Sequence, residues 1–138
     1  MKAMLTNAEE ACAAEKKKVL IVDDGITMRM FYRDVLEKAG FAVEEAANGV
    51  EGLERVLGGR FDLIVVDINM PKMNGYEFLN QLRADPDCIA IPVMTVSTED
   101  KEHDKVRAYE AGANFYMVKP VRPDEFTNAA ILFTGRPS

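Results

Sequence analysis

The chain has little of what several protein classes require. Its two cysteines, Cys12 and Cys88, show no framework spacing, which argues against a disulfide scaffold and for a reducing cytoplasm. One imidazole, His103, and two distant thiols argue against zinc. No apolar run approaches the ~20 residues that cross a bilayer, so membrane insertion is not expected. Lys2 is followed by no apolar stretch, and a secretory leader is not expected either. Acid exceeds base, with 23 Asp and Glu against 17 Lys and Arg, which disfavours autonomous binding of nucleic acid. The 138 residues suffice for one domain with an ordinary core, and 48% hydrophobic content suits a globular protein.

Residues 1–17, rich in Ala, Glu and Lys, show only a faint helical stripe of Leu5, Ala8 and Cys12 and read as a flexible tail or loose helix. Residues 18–134 form the domain, and 135–138 a short tail. Within the domain, five short apolar strands alternate with amphipathic helices. The strands fall near Val19–Val22, Ala42–Ala46, Asp62–Val66, Pro92–Val96 and Asn114–Val118. Met28, Phe31, Tyr32, Val35, Leu36 and Ala39 form one helical stripe, closed by Gly40. Later helices are marked by Val50, Leu53, Val56 and Leu57, by Phe78, Leu79 and Leu82, and by Phe126, Ala129, Ala130 and Phe133. A fourth spans about 101–111. Strands that are apolar on both faces, separated by helices, predict a doubly wound α/β domain with a parallel sheet covered on both sides. Ligands in such folds bind beyond the carboxyl ends of the strands.

The first strand ends on Asp23-Asp24, the third on Asp67 and the fifth on Lys119-Pro120. Parallel neighbours would gather these three carboxylates and one ammonium at one rim. At an effective dielectric near 20, a like-charge pair at ~4 Å costs about 4 kcal/mol before relaxation. A hard divalent cation removes that cost, and oxygen-only ligation suits Mg²⁺. A carboxylate can also accept a phosphoryl group as an acyl phosphate. In-line transfer needs the equatorial oxygens neutralised, a task that Mg²⁺, Lys119 and the hydroxyl of Ser97 can share. No strong general base for hydrolysis is evident, so the product should persist. The blander reading makes Asp23-Asp24 turn residues that cap a helix at Thr27, and Lys119-Pro120 a strand stop.

Val-Asp-Asp-Gly-Ile-Thr-Met-Arg (22–29), Val-Asp-Ile-Asn-Met-Pro-Lys-Met-Asn-Gly (66–75), Val-Ser-Thr-Glu-Asp (96–100) and Ala-Gly-Ala-Asn-Phe-Tyr-Met-Val-Lys-Pro (111–120) occur in that order. Together they resemble the receiver domains of response regulators, the CheY-like family, from about Lys18 to Phe133. The resemblance implies a flavodoxin-like fold with strand order 2-1-3-4-5. It implies that Asp67 is the phosphoacceptor and that Asp23, Asp24, Asp67 and the Asn69 backbone carbonyl hold Mg²⁺. Ser97 becomes the switch hydroxyl, Tyr116 the switch aromatic and Lys119 the phosphate-contacting lysine, with a cis bond before Pro120. Asn69 and Glu99 stand where the family tunes phosphoaspartate lifetime, beside the rather bulky Thr98. Asn74 replaces a customary Asp at a turn, with little consequence expected.

The resemblance further implies a stand-alone response regulator, phosphorylated by a histidine kinase or histidine phosphotransfer protein and acting in chemotaxis or a phosphorelay. No effector segment follows Ser138, so output is expected through a downstream target protein such as a motor or relay component. By the family's mechanism, Ser97 moves toward the phosphoryl group and Tyr116 rotates into the vacated space. The face of the fourth helix, fifth strand and fifth helix then changes, with Val106, Tyr109, Tyr116 and Phe126 as its residues. The alternative readings are an interaction module independent of phosphorylation, an aspartyl phosphohydrolase and a flavin protein. Asn69 stands where the hydrolase would have a second carboxylate, and the flavin protein's hydroxyl- and Gly-rich loop is missing. A phosphoacceptor without turnover of an external substrate, and so not an enzyme, is the expectation.

Overall fold

The computed structural model describes residues 16–135. The tail expected over 1–17 therefore lies almost wholly outside the described residues, as do 136–138. Five parallel strands, β1 (Lys18–Val22), β2 (Ala42–Ala46), β3 (Leu63–Asp67), β4 (Val93–Ser97) and β5 (Phe115–Val118), form one sheet in the order β2-β1-β3-β4-β5. Five helices connect and follow them: α1 (Ile26–Lys38), α2 (Gly49–Gly58), α3 (Gly75–Ala84), α4 (Glu102–Ala111) and α5 (Pro123–Thr134). A 3₁₀ turn at Pro86–Cys88 precedes β4. The expected doubly wound fold and strand order are the observed ones.

The sheet divides the core in two. Leu20, Val22, Ile64 and Val66 face α2, α3 and α4, packing with Val56, Phe78, Leu79 and Ala108. Val19, Ile21, Leu63 and Val65 face α1 and α5, packing with Tyr32, Leu36, Phe126, Ala129 and Ala130. Central strands buried on both sides read as unbroken apolar runs, whereas β2 at the edge carries Glu44 and Glu45. Glu44 pairs with Lys18 and Arg55, and Glu45 with Arg29 and Arg33, so the edge is charged and occupied. Hydrogen bonds from Lys18 pull the Glu44 carboxyl below its ordinary range. Burial pushes Glu45 up, but Arg33 and Arg29 outweigh it and its net shift is downward.

Three local details differ from the sequence reading. β3 and β4 run one residue further, so Asp67 and Ser97 are terminal strand residues rather than loop residues. Helix α1 starts at Ile26 with Gly25 as its cap and no side-chain cap bond, which removes Thr27 as the capped position. Asn74 is more than a turn residue. Its side chain accepts from the Glu77 N–H at 3.0 Å while the Glu77 carboxylate accepts from the Asn74 N–H at 3.1 Å, a capping box for α3. Asn and Asp rank alike at such a cap.

Candidate phosphoacceptor and metal site

The carboxyl ends of β1, β3 and β5 place the acidic residues and the lysine together. Carboxylate oxygens of Asp23, Asp24 and Asp67 all lie within 4.8 Å of one another. The Lys119 ammonium is 3.5 Å from Asp67 Oδ2. The peptide bond from Lys119 to Pro120 is cis, as the resemblance implied. Asp23 and Asp67 are buried, Asp24 is exposed, and the cluster therefore has a closed floor and an open side.

Backbone donors fix both buried carboxylates. Asp67 Oδ1 accepts from the Asn69 N–H at 3.0 Å, and Asp23 Oδ1 accepts from the Gly25 N–H at 2.8 Å. Arg29 in α1 donates to the Asp23 carbonyl at 2.6 Å and so ties the helix to the end of β1. The turn after β3 is held by tight packing: a Cβ on Gly75 would lie 2.7 Å from Ile68 Cα and 2.9 Å from the Asp67 carbonyl oxygen. Glycine is required there because α3 starts against the backbone of the phosphoacceptor candidate.

The electrostatics carry the signature of a site short of positive charge. Burial raises Asp67 above the ordinary carboxylate range; the Asn69 N–H and Lys119 offset part of this, and Asp24 adds to the rise. Burial also raises Asp23, against the Gly25 N–H and with Asp67. Asp23 Oδ2 is buried without any hydrogen-bond partner. An orphaned carboxylate oxygen beside two further carboxylates is a donor set suited to a hard cation, and these residues fit Mg²⁺. Asn69, two residues beyond Asp67, is exposed.

Ser97 is fully buried at the end of β4. Its hydroxyl donates to Asn69 Oδ1 at 3.1 Å and accepts from the Glu99 N–H at 3.0 Å. Thr95, the nearby alternative on the same side of the strand, is engaged with the Phe115 carbonyl at 2.9 Å. Thr98 and Glu99 are exposed beside the opening.

The switch and face residues need two corrections. Tyr116 already occupies an inward seat: it is 7% exposed, and its hydroxyl donates to the Glu99 carbonyl at 2.8 Å. It is inward while Ser97 bonds Asn69, so the inward seat does not wait for Ser97 to turn. Val106 and Tyr109 are exposed on α4 as expected, but Phe126 is fully buried against Tyr32, with ring centroids 5.0 Å apart. It belongs to the α1–α5 layer and cannot contribute to a docking face. Sequence reasoning missed Tyr76, whose hydroxyl donates to the Asp104 carbonyl at 3.3 Å beneath Arg107, itself 3.9 Å from the ring centroid. It joins α3 to the first turn of α4, and the only signal was an aromatic at the start of the third helical stripe.

Comparison with known proteins agrees with this geometry. The family described as "Response regulator receiver domain" matches residues 19–131. Chemotaxis protein CheY-3 of Vibrio cholerae is 39% identical over 112 residues, covering 80% of this chain and 86% of that protein. Transcriptional regulatory protein ResD of Bacillus subtilis is 36% identical over 108 residues, covering 78% of this chain and 44% of that protein. Among solved structures, the chemotaxis response regulator CheY4 of Vibrio cholerae superposes with a TM-score of 0.82 at 35% identity, covering 86% of this chain and 98% of that one. A response regulator from Chloroflexus aurantiacus gives 0.84 at 30% identity, covering 88% and 100%. The chain belongs to the response regulator receiver family, the CheY-like proteins of two-component signalling.

Proposed function

We propose that the protein is a phosphorylation-driven switch in which Asp67 accepts a phosphoryl group from the phosphohistidine of a histidine kinase or histidine phosphotransfer protein. The observation that carries this reading is the placement of Asp67: buried at the end of the central strand β3, inside a three-carboxylate cluster and 3.5 Å from the Lys119 ammonium. In the transfer the phosphorus–nitrogen bond to imidazole breaks and a bond to an Asp67 carboxylate oxygen forms, while the freed imidazole nitrogen takes up a proton. Asp23, Asp24, Asp67 and the Asn69 carbonyl would hold Mg²⁺, which supplies charge neutralisation on the transferred group. Lys119 neutralises a second oxygen. Ser97 donates to a third once it leaves Asn69.

The same movement carries the output. Ser97 releases the Glu99 N–H as it turns toward the phosphoryl group, and the loop after β4 follows. Tyr116 is tied to that loop through the Glu99 carbonyl, so the surface of α4 and β5 around Val106 and Tyr109 shifts toward a second set of conformations. Among the described residues no imidazole lies in the site, His103 being exposed at the start of α4. That supports a stored acyl phosphate rather than turnover of an external substrate. A cytoplasmic setting, a protein target such as a motor or relay component, and independence from nucleic acid and membrane complete the reading. Among the described residues no helix is long and apolar enough to cross a membrane.

Transfer of labelled phosphate from a phosphohistidine donor tests it. Label should appear on the wild type with Mg²⁺ and be absent from Asp67→Asn. Steady release of phosphate from a phosphomonoester, or binding of a target that ignores phosphorylation, would contradict it.

A further inference from the structure

Two buried side-chain atoms lack a hydrogen-bond partner among the described residues, Asp23 Oδ2 and the Tyr32 hydroxyl. They share one side of the sheet. Val19 and Ile21 of β1 and Leu63 and Val65 of β3 pack toward α1 and α5, so the period-two alternation carries Asp23 and Asp67 onto that side. Tyr32 sits in the same layer, 1% exposed, its ring against Phe31 and Phe126. Long side chains on a helix point back toward its N-terminus, and α1 begins at the rim, directly after Asp23-Asp24-Gly25.

The ring alone would serve the packing. A phenylalanine would fill this layer without burying a hydroxyl, and a buried hydroxyl without an acceptor is unfavourable. The acceptor lacking a donor is on Asp23. Burial first, then the charges of Asp23 and Asp67, hold the Tyr32 phenol above its usual range, so it remains a donor at any physiological pH.

We propose that the Tyr32 hydroxyl is a positioning donor to Asp23 Oδ2 through one buried water, and sets the orientation in which Asp23 meets the cation. This rests on the metal-site reading above. With the Gly25 N–H on Oδ1 and the Tyr32-held water on Oδ2, Asp23 is fixed at both oxygens, and each retains acceptor capacity for a cation. Donors of this kind orient metal ligands, and their loss commonly weakens metal affinity by 10–100-fold.

The test is Mg²⁺ uptake by calorimetry on the wild type, Tyr32→Phe, Asp23→Asn and the double variant, with a thermal melt of each. Tyr32→Phe should bind Mg²⁺ about tenfold more weakly while still melting in one cooperative transition. In the Asp23→Asn background the same change should make no further difference. Wild-type affinity in Tyr32→Phe, or a loss of equal size in both backgrounds, would overturn the proposal and leave the phosphoacceptor reading standing. No Mg²⁺ uptake by the wild type would overturn the metal-site reading itself. A second measurement needs no change at Tyr32: the Tyr32 Cζ resonance should move in Asp23→Asn and stay in Asp24→Asn, and the reverse would contradict the contact.

Discussion

The Tyr116 hydroxyl donates to the Glu99 carbonyl while the Glu99 N–H donates to Ser97, so one residue of the loop after β4 is held from both sides. Glu99 thereby links the Ser97 hydroxyl to the aromatic of β5. Binding of a beryllofluoride mimic should shift the Glu99 amide and the Tyr116 ring resonances together, and Ser97→Ala should abolish most of the Glu99 response. Tyr116→Phe should cost about 1 kcal/mol in stability, the net worth of one buried hydrogen bond. A mimic that binds and leaves Glu99 unmoved in NMR would contradict the linkage.

Asp67 is raised by burial, and the consequence for stability has a definite sign. The fold holds the Asp67 proton more tightly than the unfolded chain does. Its contribution is therefore fully present below the ordinary carboxylate value and is lost as pH rises through the raised folded value. Without metal, Asp67→Asn should melt higher than the wild type at neutral pH, by about 1 kcal/mol in unfolding free energy, because a poorly compensated buried charge is gone. The gap should close as pH falls through the folded value of Asp67. Denaturant titrations at neutral and acid pH measure both ends.

The Lys119 ammonium lies 3.5 Å from Asp67 Oδ2. Lys119→Ala should slow phosphoryl transfer to Asp67 by about 10²-fold, the scale for losing one charge-stabilising donor at a transfer site. Mg²⁺ affinity should fall little or rise, since a competing cation has left the cluster. Rapid-quench labelling and calorimetry separate the two effects.

Removing metal should destabilise the protein. At 100 times its dissociation constant Mg²⁺ adds about 2.7 kcal/mol to the folded state, so a chelator should lower the melting midpoint by several degrees. Asp24→Asn should abolish the chelator effect while leaving the metal-free melt close to that of the wild type, since Asp24 is exposed.

Most of the fold was legible because β1, β3 and β4 are buried on both faces and their apolar runs stop on polar residues. The site was legible for the same reason: Asp23, Asp67 and Lys119 end strands that a parallel sheet must bring to one rim. The capping signal at Asn74 and Glu77 is also present in the sequence, three residues apart before an apolar run. The helical period of Phe126 points inward, for it shares a stripe with Ala129 and Ala130, all of them buried. The starting position of Tyr116 was not legible at all. Its ring is inward while Ser97 bonds Asn69, a choice among a few hydrogen bonds that no residue pattern encodes.

The central claim is a covalent one, that a phosphoryl group forms an acyl phosphate on Asp67. Borohydride reduction of protein treated with acetyl phosphate and Mg²⁺, followed by peptide mass mapping, tests it most directly. A single aspartate, Asp67, should be reduced, dependent on Mg²⁺, and none in Asp67→Asn. Reduction at another carboxylate, or none in Mg²⁺-saturated wild type, would contradict it.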